Sequence, residues 1–237
     1  MRIKSFLSLL SICIISIHSN AQVFEKKIIP AGQSVSTFSY YLLPAFTEGV
    51  VRMKDGKNIT AKMNFTLVTC DMQFIGPKGD TLSLSEPETV DSIYLQGSVF
   101  FYIFKKGYFQ IPNDSLSPVR LAVFRKTSYE PVKIGAMGVP SHSTAIDNFA
   151  TISDDRANTK ELILNVDIYV SNQSSYYFLE KKYADIVAAS KSSLLRIFKN
   201  NQDQIEEYIK ANKINFSKEA DLLKALQFCN TSSIPKS

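Results

Sequence analysis

Apolar and polar residues alternate along the middle of this chain. Between Ile59 and Leu67, the residues Ile59, Ala61, Met63, Phe65 and Leu67 take turns with Thr60, Lys62, Asn64 and Thr66. A period of two puts one side of a strand in a core and the other in water. Asp55-Gly56 just before it marks a hairpin, because glycine tolerates positive φ, and Val50, Val51 and Met53 supply the partner strand. Further strands are expected around Met72–Phe74, Thr81–Leu84, Asp91–Leu95, Val99–Phe104, Tyr108–Ile111 and Pro118–Lys126. Turns separate them at Thr69-Cys70-Asp71, Pro77-Lys78-Gly79-Asp80 and Lys105-Lys106-Gly107. Short strands with recurrent turns predict an antiparallel meander forming a barrel- or sandwich-like sheet.

The rhythm breaks between Val132 and Lys160, a stretch with Gly135, Gly138, Pro140, His142 and the polar run Ser153-Asp154-Asp155-Arg156. A loop this long in a compact domain is uncommon and is usually functional or mobile. Alternation returns from Leu162 to Val170, then Asn172-Gln173-Ser174 reads as a turn into Tyr176–Leu179, with a last strand at Tyr183–Val187. After residue 189 the spacing becomes helical. Ser190 can cap a helix carrying Leu194, Leu195 and Phe198. A second helix spans about Gln202 to Asn212 with Ile205, Tyr208 and Ile209 on one side. Ser217 can cap a third with Leu222, Leu223, Leu226 and Cys229 in a stripe. The fold class is therefore mainly β (α+β overall), with two to three short helices at the C-terminus. Each helix is too short to stand alone, so the tail, residues 190–237, must pack on the β-rich domain, residues 22–189.

The stretches YLLPAFTEGVVRMKDGKNITAKMNFTLVTCDMQFIGPKGDTLSL, KIGAMGVPSHSTAID and SKSSLLRIFKNNQDQIEEYIKANKINFSKEADLLKAL together resemble a group of uncharacterised exported proteins of Gram-negative bacteria. The resemblance covers most of the chain beyond residue 21. It implies a β-rich envelope protein and carries no site residues. Such proteins tend to have glycine in the turn where this chain has Cys70, which argues against a required thiol there.

The N-terminus sets an expected destination. Arg2 and Lys4 precede an apolar run from Phe6 to Ile17, and Ser19-Asn20-Ala21 offers small residues for signal peptidase. Residues 1–21 read as a cleaved secretory signal. The run is shorter than the roughly 20 residues a membrane-spanning helix needs. Ile12 is too bulky before Cys13 for a lipidation site. The formal charge of +5 falls to +3 when Arg2 and Lys4 leave, and no basic cluster with interleaved aromatics remains. That gives no strong case for nucleic acid or an anionic membrane, and no nucleic-acid partner is expected. Export permits a disulfide between Cys70 and Cys229, but two cysteines make no framework, and both are expected to be free thiols.

Catalytic chemistry is sparse. His142 is the single histidine beyond the signal, so a His-rich zinc site is impossible and a Ser-His-Asp triad has one choice of base. No Gly-x-Ser-x-Gly elbow, phosphate-cradling loop or calcium loop occurs. Asp154-Asp155 is the acidic pair in the long loop, and with His142 it forms the set of binding-loop candidates. No catalytic residue, metal ligand or cofactor is assigned. Tyr40, Tyr41, Tyr176 and Tyr177 could form a sugar platform, although strand alternation would place one of each pair in the core. Six Asn-x-Ser/Thr triplets, at Asn58, Asn64, Asn113, Asn172, Asn215 and Asn230, read as products of a Ser/Asn-rich surface. The expectation is a non-enzymatic binding or structural module of the periplasm or cell surface, contacting an envelope protein or glycan, with no integral membrane span. The alternatives are a hydrolase using His142 or Asp154/Asp155, and an outer-membrane barrel, which the soluble-looking helical tail disfavours.

Overall fold

A computed structural model describes residues 27–33, 40–112, 117–134, 140–141, 167–180 and 185–232. Its strands are β1 (Lys27–Ile29), β2 (Thr47–Met53), β3 (Asn58–Thr66), β4 (Asp71–Ile75), β5 (Thr81–Ser83), β6 (Val90–Leu95), β7 (Ser98–Ile103), β8 (Gly107–Ile111), β9 (Val119–Pro131), β10 (Lys133–Ile134), β11 (Pro140–Ser141), β12 (Ile168–Glu180) and β13 (Asp185–Ala188). Eleven of them form one antiparallel sheet in the order β1-β12-β9-β8-β7-β6-β2-β3-β4-β5, with β13 beside β1 on the outer side of β12. β10 and β11 pair separately. The expected meander is present, as an open, sandwich-like sheet. Three helices follow: α1 (Lys191–Ile197), α2 (Gln202–Ala211) and α3 (Glu219–Ser232).

Two elements depart from the sequence expectation. Asn172-Gln173-Ser174 does not turn. It lies inside the 13-residue strand β12, which pairs along its whole length with β9. Asn and Ser favour turns when their side chains bond local backbone, but here they bond across the ladder. Thr127 Oγ1 donates to Asn172 Oδ1 at 2.8 Å, and Arg125 Nη1 donates to Ser174 Oγ at 3.0 Å. Tertiary partners override the local preference. At the third helix, α3 begins at Glu219, and Ser217 donates its N–H to Asn215 Oδ1 at 2.9 Å. The first expected cap does form: Ser190 Oγ accepts from Ser193 N–H at 3.1 Å.

The sheet curls. Beyond its single paired position with β8, Gln110 opposite Val123, β9 keeps only β12 beside it and on its other edge meets the end of β3, where Thr127 N–H donates to Leu67 O at 2.6 Å. The curl encloses Val51, Met63, Phe65, Leu67, Met72, Ile93, Leu95, Phe100 and Tyr108. Gly49 permits it locally, since a Cβ there would lie 2.8 Å from Met63 Sδ and 2.9 Å from Tyr94 O. A second core forms where Val119, Leu121, Val123 and Phe178 of β9 and β12 meet Leu194, Phe198, Ile205, Leu222, Ala225, Leu226 and Cys229 of the helical region. The tail thus packs on the sheet as its one-sided helices require. Tyr176 joins this core and Tyr177 the opposite one, with Phe109. Alternation separates the pair, yet both rings are partly buried.

The surface reading of the Asn triplets fails at two positions. Asn64 is 1% exposed. It fills an outward step of the chain between Tyr41, which bridges to Thr66, and β2. Its Oδ1 accepts from Leu43 and Phe65 N–H at 3.1 and 2.9 Å, and its Nδ2 donates to Leu43 O and Ala45 O at 2.9 and 3.3 Å. One amide side chain replaces the missing ladder bonds, because its donors and acceptor mimic a peptide group. Asn230 does the same at the other end of the fold, accepting from Val119 N–H and donating to Val119 O. Asn64→Leu, which keeps the volume and strips the hydrogen bonds, is expected to cost about 3 kcal/mol in urea unfolding. A loss below about 0.5 kcal/mol would show that water replaces the amide freely.

Candidate functional site

His142, Asp154 and Asp155 lie outside the described residues, as does the segment 1–21. The structure instead draws attention to a polar seam at one end of the curl. Strand register puts Ser98 of β7, Gln110 of β8, Arg125 of β9 and Ser174 of β12 on one face, because Phe100 opposes Gln110 and Arg125 opposes Ser174. Their side chains form a chain of bonds. Gln110 Nε2 donates to Ser98 Oγ at 2.9 Å, Arg125 Nε to Gln110 Oε1 at 2.6 Å, and Arg125 Nη2 to Glu219 Oε2 at 2.6 Å. The Arg125 side chain is 10% exposed and Glu219 27%. The pair therefore ties the first turn of α3 to the sheet between the two apolar cores.

Beside this seam is a cleft of about 190 Å³. Leu42, Leu43, Leu95 and Phe100 supply apolar walls, and Gln96, Ser98, Gln110 and Arg125 supply polar ones. The Leu42–Leu43 wall is the segment that Asn64 holds in place. The opposite rim is the tight β6–β7 turn, where Gln96 and Gly97 both take positive φ, 50° and 73°. Sequence reasoning missed this site for a plain reason. Ser98, Gln110, Arg125 and Glu219 are far apart in the chain and share no motif. The one local clue was polar residues on the inward face of apolar strands: Gln110 two positions after Tyr108, and Arg125 two after Val123.

Neither Cys70 nor Cys229 is in a disulfide among the described residues. Cys70 sits in the β3–β4 turn at φ 56°, and Cys229 is buried in the helix-backed core. Burial pushes both thiols up to about 11, leaving about a hundredfold less thiolate at neutral pH than an ordinary cysteine, and neither is an activated nucleophile. In the native protein both should react with iodoacetamide at pH 8 far more slowly than in denaturant. Without reductant, both should label once unfolded. A missing label would mean a disulfide. Among the described residues no three His, Cys, Asp or Glu side chains converge on a metal-binding point.

At the start of β4, burial raises the Asp71 carboxyl above its ordinary 3.8, although Met72 N–H donates to it at 2.8 Å. A carboxyl raised on folding favours the protonated native state. Its stability contribution is full below 3.8 and is lost as pH climbs through the raised value. Asp71→Asn should therefore gain stability relative to the parent as pH goes from about 4 to 7. Equal urea midpoint differences at both pH values would contradict this. The same burial raises the hydroxyl of Tyr108, 2% exposed, whose oxygen has no hydrogen-bond partner.

Comparison of the chain with protein-family profiles, with curated proteins and with solved structures found no match. No described helix is long and apolar enough to cross a membrane.

Proposed function

We propose that this is an exported, non-enzymatic protein of the cell envelope that acts as a binding module, with the cleft at the end of the curled sheet as its binding site. The observation that supports this most is the composition of that cleft: apolar walls on one side and a few convergent polar groups from three strands on the other. Small-molecule sites have this make-up. The signal-like N-terminus and the resemblance to exported β-rich proteins support the compartment. The alternative reading, a hydrolase, would draw on His142, Asp154 or Asp155, which lie outside the described residues.

The test is a two-part measurement. A ¹⁵N-labelled sample of the full chain is screened by NMR against small molecules and glycan fragments prepared from bacterial envelopes, and the compounds are recovered afterwards. Shifts clustered at Leu43, Leu95, Ser98, Gln110 and Arg125, with compounds recovered intact, support the proposal. Shifts confined to other surfaces, or chemical turnover, overturn it. Fractionation of a bacterial host should place the mature chain outside the inner membrane; retention in the cytoplasm would remove the envelope assignment.

A further inference from the structure

The direction of the hydrogen bonds in the seam says what the cleft is built to meet. A guanidinium has five N–H donors and no acceptor. Arg125 uses one each on Gln110, Ser174 and Glu219, so two N–H groups remain among the described residues. Gln110 uses its oxygen on Arg125 and one amide hydrogen on Ser98, which leaves one N–H. Ser98 accepts from Gln110, so its own O–H is left to donate. These three side chains all line the cleft. Donors therefore outnumber acceptors among the unused valences: four N–H or O–H groups against one remaining lone pair each on Gln110 Oε1 and Ser98 Oγ.

Geometry points the same way. Arg125 is the one charged residue in the cleft lining, and Glu219, paired with it at 2.6 Å from outside that lining, offsets its charge. What the guanidinium offers is therefore its two free N–H donors, which suit a planar group with several acceptor lone pairs. Leu42, Leu43, Leu95 and Phe100 then ask for an apolar body. At about 30 Å³ per water-sized group, a cleft of 190 Å³ holds on the order of six such groups.

Resting on the binding reading above, we propose that the ligand is a short alkyl carboxylate of about six carbons, with about six of its non-hydrogen atoms inside the cleft and the end of its chain at the open mouth. Its carboxylate takes the free donors of Arg125, Gln110 and Ser98, and its chain lies along Leu42, Leu43, Leu95 and Phe100.

The experiment titrates the ¹⁵N-labelled full chain with hexanoate, hexanol and hexylamine. Hexanoate should shift signals of the cleft residues and bind about tenfold more tightly than hexanol, since charge-assisted bonds are roughly twice as strong as neutral ones. Hexylamine should leave those signals unmoved. Ser98→Ala removes one donor with little change of volume and should weaken hexanoate about three- to tenfold without affecting hexanol. Leu43→Trp should fill the cleft and abolish both. Hexanol or hexylamine binding at the cleft as tightly as hexanoate would overturn the carboxylate assignment and leave the binding reading standing. Hexanoate shifts that survive both variants would place binding elsewhere and overturn the site as well. No cleft shifts with any of the three compounds would overturn the ligand class, and the envelope screen then decides separately whether the cleft binds anything.

Discussion

Replacing Phe178 by alanine is expected to cost about 4 kcal/mol, a large part of the 5–15 kcal/mol that holds a domain of ordinary stability together. Phe178 is fully buried. It stands on β12 opposite Leu121 and under the helices, in the core that also contains Leu194, Leu222 and Leu226. Removing the ring loses its transfer energy and leaves a cavity that two rigid layers cannot close. Its removal also takes away the base on which α1 and α3 rest, and helices this short have little stability of their own. Urea unfolding followed by circular dichroism should show a lower midpoint, with helical signal lost no later than sheet signal. Ile59→Ala is the control. That side chain is 51% exposed, and its loss should cost less than about 1 kcal/mol. Equal effects at the two positions would mean that the helix–sheet core is not what stabilises the tail.

Arg125→Met should cost about 3 kcal/mol, because it leaves the Glu219 carboxylate, Gln110 Oε1 and Ser174 Oγ without the donor they share. Glu219 retains some solvent contact, which keeps the loss below that of a fully buried orphan charge. The second half of the prediction is sharper. Combining Arg125→Met with Glu219→Leu should recover at least about 1 kcal/mol of that loss, since removing both charges is cheaper than stranding one. Double-mutant analysis of urea midpoints measures this directly. If the double variant is as unstable as the sum of the two single ones, the contact at 2.6 Å is not a stabilising pair and the seam is held by packing alone.

The seam also shows why some of this molecule could be read from its sequence and some could not. Strands β2 to β8 and the three helices follow local pattern: alternation around Ile59–Leu67, glycine turns at Gly56 and Gly79, and a serine cap at Ser190. Each of these needs only neighbours in sequence. Asn172-Gln173-Ser174 has the composition of a turn and lies in mid-strand, because Thr127 and Arg125 stand opposite. Asn64 and Asn230 look like surface residues and are buried, because each satisfies backbone groups that a bend or a chain end leaves unpaired. In every such case the deciding partner lies between about 20 and 110 residues away in the chain.

By itself the sequence determined the class of the fold, the antiparallel meander with a packed helical tail, since alternation and helical spacing are local properties of the chain. It also determined what chemistry is scarce: one histidine beyond residue 21 and no nucleophile motif. Only the tertiary structure decided which polar residues matter. It brought Ser98, Gln110, Arg125 and Glu219 into one hydrogen-bonded line beside an apolar cleft. The physical reason is that a buried polar side chain is stable only with its partners present. Those partners come from four separate elements, and the curl of the sheet and the seating of α3 bring them together.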